Sequence, residues 1–129
     1  MSMFSAIGIS QSGIGTYKAW IDATADNVAN VNNATPTSQA AFQARRLVVE
    51  SAPGGGIQIQ RAEFGNPEGR LIYDPQNPLA DGDGMVRMPD LNMSDEMTSL
   101  IIAQRAYQAN VTAFERARDG YLRELEIGR

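Results

Sequence analysis

The sequence predicts a mainly α protein with a small β insertion: long N- and C-terminal helices paired as a coiled coil, and a short β-rich middle segment. Two observations predict this class. Both ends of the 129-residue chain carry apolar side chains at helical spacing without a proline. All six prolines and most of the glycines fall between these ends. We therefore divide the chain into an N-terminal helical segment (1–34), a β-rich inserted segment (35–91) and a C-terminal helical segment (92–129), with the two helical segments forming one core domain.

The first helix is predicted from about Ser2 to Val31. Its large apolar side chains recur at every seventh residue, on one face of a helix: Ile7, Ile14, Ile21 and Val28. In the first 41 residues only Lys18, Asp22 and Asp26 are charged, so this segment is badly suited to lying against water. Each of its glycines costs about 1 kcal/mol relative to alanine. We expect this helix to be marginal alone, and its glycines to allow close packing against another chain.

The second helix is predicted from about Ser94 to Ile127. Asn92 or Ser94 can cap its first turn, where acidic side chains favour the helix dipole. Side chains at alternating spacings of four and three residues form a heptad seam that no proline interrupts. The seam comprises Met93, Met97, Leu100, Gln104, Tyr107, Val111, Phe114, Arg118, Tyr121 and Leu125. We expect its aromatic members to belong to a core or a subunit contact, and not to a ligand site.

The middle segment is predicted to contain short strands joined by turns. The stretch AAFQARRLVVE could begin as a helix and end as a strand. In GIQIQRAEF, Ile57 and Ile59 alternate with glutamines, which predicts a half-buried strand. The stretch SAPGGG between them is typical of a hairpin connection. RLIYD and MVRMP are two further strand candidates.

Two helices cannot bury more than one face of each other. Apolar and small-residue surface therefore stays exposed, and its natural destination is other copies or related chains. A hidden third helix is the alternative. Without their partners, we expect the terminal helices to be loose or disordered.

The composition excludes several classes of chemistry. The chain has no cysteine and no histidine, which rules out disulfides, cysteine nucleophiles, the usual zinc sites and imidazole-based triads. Asp81 and Asp83 are interpreted as an acidic turn, because a calcium loop would need a glutamate where Asn92 stands. A net charge of −4 disfavours a nucleic-acid partner. We expect no cofactor and no metal; a hydrolase using Glu63 and Glu68 is the enzyme alternative, and no neighbouring motif supports it.

No apolar run is long enough to span a bilayer, so direct membrane insertion is not expected. The first ten residues carry no positive side chain and no long apolar block, which predicts that no secretory signal is cleaved. The simplest interpretation is a cytoplasmic protein, or one exported by a route that leaves the chain uncut.

Four asparagines lie where the first helical pattern ends, in ADNVANVNNATP. Asn27 and Asn30 are three residues apart and so lie on one helix face. Asn32 and Asn33 are interpreted as a helix end, where asparagine tolerates the left-handed conformation. A helix end explains Asn27 and Asn30 less well. An amide at a packed seam instead fixes the register, because leaving it buried and unpaired costs about 1–3 kcal/mol.

Two stretches resemble the signatures of bacterial flagellar rod, hook and hook-associated proteins. ADNVANVNNATP matches the family's N-terminal signature at Asn27, Val28, Ala29, Asn30 and Asn32. Asn33 stands where threonine is usual, and the aromatic residue Phe42 arrives later than in most of the family. EMTSLIIAQRAYQANVTAF is similar to the C-terminal signature at Ala103, Arg105, Ala106, Tyr107, Ala109 and Asn110. The segment LIYDPQNPLADGDGMVRMPDLN looks like that of the proximal rod members, with Asn77 in place of a histidine.

The resemblance implies a structural subunit and no enzyme. The family packs its terminal helices as a coiled coil into a helical tube around a central export channel, and the tube spans the periplasm as part of the drive shaft from motor to hook. Its chains leave the cytoplasm unfolded through the flagellar type III export gate, with no signal cleaved. The implied partners are copies of the chain, other flagellar rod proteins and the MS-ring junction protein FliE. The residues expected at the assembly interface are Ile7, Ile14, Ile21, Asn27, Val28, Ala29, Asn30, Asn32, Met97, Leu100, Gln104, Arg105, Tyr107, Asn110, Val111, Phe114 and Tyr121.

A soluble helical adaptor is the alternative function. Its heptad seam would form a discrete coiled-coil oligomer, whereas a rod subunit would polymerise. Sedimentation separates the two hypotheses, because an adaptor keeps one low oligomeric state at all concentrations.

Overall fold

The computed structural model describes residues 3–128. Two long helices enclose two antiparallel hairpins in sequence: α1 (Met3–Asn30), β1 (Arg45–Ser51), β2 (Ile57–Phe64), β3 (Arg70–Tyr73), β4 (Met85–Met88) and α2 (Met93–Ile127). The predicted class of two terminal helices with a small β middle is confirmed. The predicted helix start at Ser2 and the last residue of the C-terminal segment, Arg129, lie outside the described residues.

The two helices pack against each other in antiparallel orientation. Phe4, in the first turn of α1, meets Tyr121 near the end of α2, with ring centroids 4.9 Å apart. Asn27, in the last turn of α1, hydrogen-bonds Glu96 at the start of α2. Because α2 has 35 residues and α1 has 28, the last turns of α2 continue past the level of Phe4. The predicted pairing of the terminal helices is therefore confirmed.

Asn92 caps the N-terminus of α2. Its backbone is extended, with φ −109° and ψ 117°, and its side-chain oxygen accepts from the backbone N–H of Ser94 and Asp95. These are two of the first N–H groups that a helix leaves without an internal partner. The cap is thus Asn92, one of the two predicted candidates.

Substituting this cap is expected to destabilise α2 measurably. Asn92→Ala removes the oxygen that accepts from Ser94 and Asp95, which costs about 1 kcal/mol of unfolding free energy. Asn92→Ser keeps an acceptor at the same position and is expected to lose only a few tenths of a kcal/mol. Urea denaturation of both variants measures the difference, and equal losses would contradict the capping role.

The first hairpin, β1–β2, rests on α1 at its turn. Gly55 and Gly56 have φ of +90° and +86°, in the region that favours glycine, and they close the connection predicted from SAPGGG. Just after the turn, Ile57 donates its backbone N–H to the Ser12 hydroxyl, and Thr16 donates to the Ile57 carbonyl. Both strands are confirmed. The predicted half-burial of β2 is wrong beyond Ile57, because α1 covers only this end and Ile59 is 41% exposed.

Residues 41–44 do not form the helical start predicted for them. Ala41 donates its N–H to the carbonyl of Pro67, and the carbonyl of Ala44 accepts from Gly65. The backbone of this stretch therefore bonds to the loop after β2. Both alanines are buried there, so the contact is tight.

The second hairpin, β3–β4, joins the helix pair through a small apolar core. Thr35, just after α1, exchanges two backbone hydrogen bonds with Arg87 of β4. The Arg87 guanidinium donates to the backbone carbonyls of Thr37 and Glu68, which ties two loops to the strand. The core cluster beside it contains Val31, Ala44 and Leu91 with Phe42 packed against them. Among the described residues the buried apolar side chains are Ala23, Val31, Ala41, Ala44, Val86, Leu91 and Ala103. Because these are few and four of the seven are alanines, the protomer buries little apolar area on its own.

Candidate assembly interface

Small side chains line the seam between α1 and α2. α1 buries Ser10, Gly13, Thr16, Ala23 and Thr24. Facing them, Ala103 of α2 is fully buried. At Gly13 the helices come so close that a Cβ atom would overlap with the side-chain amide of Asn110. The glycine therefore provides close packing, as predicted, but against a helix of the same chain.

The seam lies one residue before each of the predicted heptad stripes. In α1, Gly13 and Asn27 are buried, whereas the adjacent Ile14 and Val28 of the predicted stripe are only partly buried. In α2 the buried positions are Glu96 and Ala103, where the pattern predicted Met97 and Gln104, both exposed. The heptad pattern therefore identified the two helix faces but not the positions that are buried between the helices of one protomer. At Gly13 the reason is space, because Asn110 lies where a larger side chain would be, and at Asn27 and Glu96 the buried side chains are hydrogen-bonded to each other.

The large apolar side chains consequently flank the seam. Ile7, Ile14, Ile21 and Val28 on α1 are all partly open to solvent. On α2 the same holds for the following predicted interface residues: Leu100, Tyr107, Val111, Phe114 and Tyr121. Asn30 and Asn110 are also half-buried, and Ala29, Asn32 and Arg105 are exposed. Except for Asn27, every residue expected at the assembly interface thus keeps surface in the single protomer.

Asn27 connects three elements of the protomer through its side-chain amide. Its Nδ2 donates to the carbonyl of Arg45 and to Oε2 of Glu96, both at 3.1 Å. Its Oδ1 accepts from the N–H of Arg45 at 2.9 Å. Asn27 is 1% exposed and Glu96 6%, so these bonds are shielded from water. We call Asn27, Arg45 and Glu96 the junction, since they join α1, β1 and α2.

An open cavity lies beside the junction. It has a volume of about 190 Å³ and is lined by Trp20, Thr24, Asn27, Arg45, Arg46, Leu47, Glu96 and Ser99. Pockets that bind small molecules usually have about 300–1,000 Å³ and mostly apolar walls. This cavity is smaller and its lining is mainly polar. We therefore interpret the junction as a contact that holds the protomer together, and not as a site for a small molecule.

α1 ends without a residue in the left-handed conformation, and asparagines form hydrogen bonds at its last turn. Among residues 3–128, no residue other than glycine has a positive φ, so the left-handed conformation predicted for Asn32 and Asn33 was wrong. Instead Asn30 donates to the carbonyl of Asp26 at 2.9 Å, and Asn33 donates its backbone N–H to the carbonyl of Asn30. The helix thus closes in an ordinary turn.

The acidic stretch around Asp81 forms a hydrogen-bonded turn. The N–H of Met85, the hydroxyl of Thr37 and the N–H of Asp83 all donate to its carboxylate, and they hold the pKa of Asp81 below its usual value. The Asp81 carboxylate thus accepts hydrogen bonds from its own turn and from Thr37. Within the described part of the chain, no group of three or more acidic side chains is placed to bind a metal ion. Neither described helix is both long and apolar enough to cross a membrane.

Comparisons with known proteins agree with the resemblance of the two signatures. Residues 83–121, which include β4 and most of α2, match the family model described as the flagellar basal body rod FlgEFG protein C-terminal. The flagellar basal-body rod protein FlgC of Yersinia enterocolitica is 32% identical, over 99% of both chains. The chain belongs to the FlgC family of flagellar basal-body rod proteins. FlgC of Aquifex aeolicus is also 32% identical, over 98% of this chain and 97% of its own, and FlgC of Bacillus subtilis is 25% identical over the full length of both.

The junction physically connects the two FlgC-family signatures. Asn27 lies in the N-terminal signature stretch, and Glu96 opens the C-terminal one. Sequence reasoning placed Asn27 at an interface between subunits, whereas its amide bonds are made inside the protomer. It did not place Glu96, Gly13 or Ala103 in the contact between the two helices of one protomer. On the α2 side of the seam, the alanines at 103 and 117, two heptads apart on one helix face, were the signal available in the sequence.

Proposed function

We propose that this chain is a torque-bearing subunit of the proximal rod. It polymerises with copies of itself and with other flagellar rod proteins into the helical drive shaft that links motor and hook and encloses the export channel. One observation carries the proposal: the helix pair uses small residues for its own seam and leaves its large apolar residues partly or fully exposed. Apolar surface of this kind is typical of protein–protein contact sites.

The proposal includes transport across the inner membrane without cleavage, in an unfolded state, through the flagellar type III export gate. Membership of the FlgC family of flagellar basal-body rod proteins supports this route. The assembled subunit then lies in the part of the rod that spans the periplasm.

The proposed role is structural and not enzymatic. The partners are protein surfaces: other copies of this chain, neighbouring rod proteins and, at the base, the MS-ring junction protein FliE. The net charge of −4 argues against nucleic acid as a partner. The small core supports a dependence of stability on assembly, because binding between subunits stabilises the folded protomer by mass action.

Two substitutions in the flanking surface are expected to impair assembly. Tyr107 is half-buried beside the seam. Truncating an aromatic hot-spot residue costs about 2 kcal/mol or more, so Tyr107→Ala is expected to weaken subunit association by about thirtyfold or more. Asn30→Ala is expected to act in the same direction, because it removes the amide at the end of α1. Both variants should reduce assembled rods and swimming more than they reduce export.

Complementation of a strain that lacks the protein provides the test. Rods are counted after basal-body purification, and exported subunit is quantified in the periplasm and medium. Gln108→Ala, at an exposed position next to Tyr107, is the matched control and should swim normally. Normal swimming by both Tyr107→Ala and Asn30→Ala would contradict the proposed interface. A single low oligomer of the purified chain at all concentrations would instead favour the adaptor.

A further inference from the structure

The outer edge of strand β3 faces away from β4 and is open. In β4, Arg87 exchanges both of its backbone hydrogen bonds with Thr35, and Met85 bonds through its N–H and carbonyl to the turn before β4. These two residues therefore make no backbone bonds to β3, where they face Leu71 and Tyr73. In an antiparallel ladder, the N–H and carbonyl groups of such a pair point outward, so those of Leu71 and Tyr73 point away from β4. Within the described part of the chain, no hydrogen bond uses them.

The edge of β3 is also exposed and unprotected. Leu71, Ile72 and Tyr73 are 54%, 38% and 69% exposed, and among the described elements β3 contacts only β4. Natural proteins protect free edges with prolines, charged side chains or bulges, because such an edge is a template for another strand. In β2, a bulge interrupts the ladder with β1, and α1 bonds the backbone of Ile57. β3 contains no proline and no bulge, and its only charged residue is the first.

We infer that the β3 edges of two copies of this chain pair with each other in antiparallel orientation. The backbone fixes the register. When Leu71 of each copy faces Tyr73 of the other, all the free N–H and carbonyl groups of both residues find partners about a two-fold axis. A shift of two residues in one direction would place Leu71 opposite Pro75, which has no N–H. A shift in the other direction would place Tyr73 opposite Gly69, whose N–H already bonds to Asn66.

The side chains select a second copy as the partner in this register. The N–H of Asp74 continues the β3–β4 ladder, so Arg70, Ile72 and Asp74 lie on one face of the strand. With Leu71 opposite Tyr73, each Arg70 stands opposite Asp74 of the other copy, and the two Ile72 side chains meet at the axis. Oppositely charged pairs therefore lie at both ends of an apolar contact, an arrangement that favours strand pairing. The strand is thus complementary to itself.

Both charged side chains have capacity for this contact. Arg70 is 51% exposed, and its ion pair with Asp90 is long, at 4.0 Å. A guanidinium has five N–H donors, of which the structure uses two on backbone carbonyls of the segment before α2. Asp74 accepts from Asn77 through one carboxylate oxygen, which leaves the other oxygen for a guanidinium.

The pair belongs to the unassembled chain and goes beyond the proposed function. A two-fold contact closes at two copies, whereas the subunits of a helical rod all point the same way. The β3 contact therefore does not extend the rod, and the pair must separate before a subunit joins it. It joins two hairpins into one continuous antiparallel sheet, which is more stable than an isolated hairpin.

Disulfide cross-linking of the full-length chain tests the pair directly, because the natural sequence has no cysteine. Ile72→Cys places two thiols opposite each other in a pair without backbone bonds, where the Cα atoms are about 4.5 Å apart and a disulfide fits. With oxidised glutathione, it is expected to form a covalent dimer about tenfold faster than Val49→Cys, because the pair holds its thiols together. Val49 lies in β1 and is 37% exposed, so it is the matched control. Equal rates would overturn the pair.

A proline variant tests the role of the backbone. Adding Tyr73→Pro to Ile72→Cys removes an N–H that β4 does not use, so the hairpin is expected to persist, as far-UV circular dichroism checks. Cross-linking should slow by about tenfold, because both copies lose a hydrogen bond. Tyr73→Val keeps the N–H and is the control that should retain most of the rate. Equal rates for the proline and valine variants would overturn the edge pairing.

Charge exchange tests the register independently. Arg70→Glu and Asp74→Arg each bring like charges together in their own pair, and each is expected to weaken dimerisation by about tenfold at low salt. An equimolar mixture should dimerise as the wild type does, because opposite charges then face each other at both ends. Sedimentation measures all three samples, and a mixture as weak as its components would overturn the register.

The outcomes separate this pair from the rod function. Loss of cross-linking specificity in a chain that still restores rods and swimming would overturn the pair and leave the rod function intact. A chain that cross-links at Ile72→Cys but never polymerises would overturn the rod function and support the pair. The Tyr73→Pro chain also isolates the adaptor alternative, because an oligomer formed by the helices would persist in it.

Discussion

Asn27→Leu is expected to lower the free energy of unfolding by about 3 kcal/mol or more. Leucine has a similar volume but can neither donate nor accept a hydrogen bond. The N–H and carbonyl of Arg45 and one oxygen of Glu96 would lose their buried partner, and each such loss costs about 1–3 kcal/mol. Since the core of this protomer is small, this is a large share of its stability. Urea denaturation followed by far-UV circular dichroism measures the loss.

Two further variants isolate the junction from the general effect of the substitution. Asn32→Leu makes the same exchange at an exposed position and should change stability by less than about 0.5 kcal/mol. Combining Asn27→Leu with Glu96→Leu should cost less than the sum of the single losses, because the carboxylate is no longer buried without its donor. Equal losses for the two asparagines, or strict additivity of the pair, would contradict the junction.

Local chemistry made the elements of this fold predictable. The cap at Asn92 and the proline-free heptads set the bounds of α2, and the glycines at 54–56 set the β1–β2 connection. These signals act within a few residues of the structure that they specify. For the same reason the predicted helical start at 41–44 failed: the bonds that hold Ala41 and Ala44 come from the loop at 65–67, which no local pattern reveals.

The seam and the junction depend on contacts between distant residues. Asn27 and Glu96 are 69 residues apart in sequence, so no spacing rule brings them together. A hydrophobic pattern also gives most weight to large side chains, which here selected Ile14 over Gly13. The helices approach closely enough to bury the glycine and leave the isoleucine at the flank. Residues that look like the core of the protomer thus keep exposed surface in it, and these are the residues that we propose to contact neighbouring subunits.

The second large effect is expected at Gly13, where the side chain of Asn110 in α2 lies against α1. Gly13→Leu places a side chain where Asn110 lies, so the helices must move apart or Asn110 must leave the seam. Overpacking of this kind costs about 1–3 kcal/mol. That cost is expected despite the gain of up to about 1 kcal/mol from replacing glycine inside a helix. Denaturation of the variant should therefore show a net loss of stability.

Gly15→Leu is the matched control on the same helix. Nothing lies within 4 Å of a Cβ atom at Gly15, so this variant should only gain the helical preference of leucine. Both variants share that gain, so they should differ by the overpacking cost alone, about 1–3 kcal/mol. Adding Asn110→Ala to Gly13→Leu makes room for the new side chain and should recover part of the loss. Equal stabilities for Gly13→Leu and Gly15→Leu would mean that the helices do not meet at residue 13. The seam would then have to follow the isoleucine stripe, and the surface assigned to neighbouring subunits would belong to the protomer.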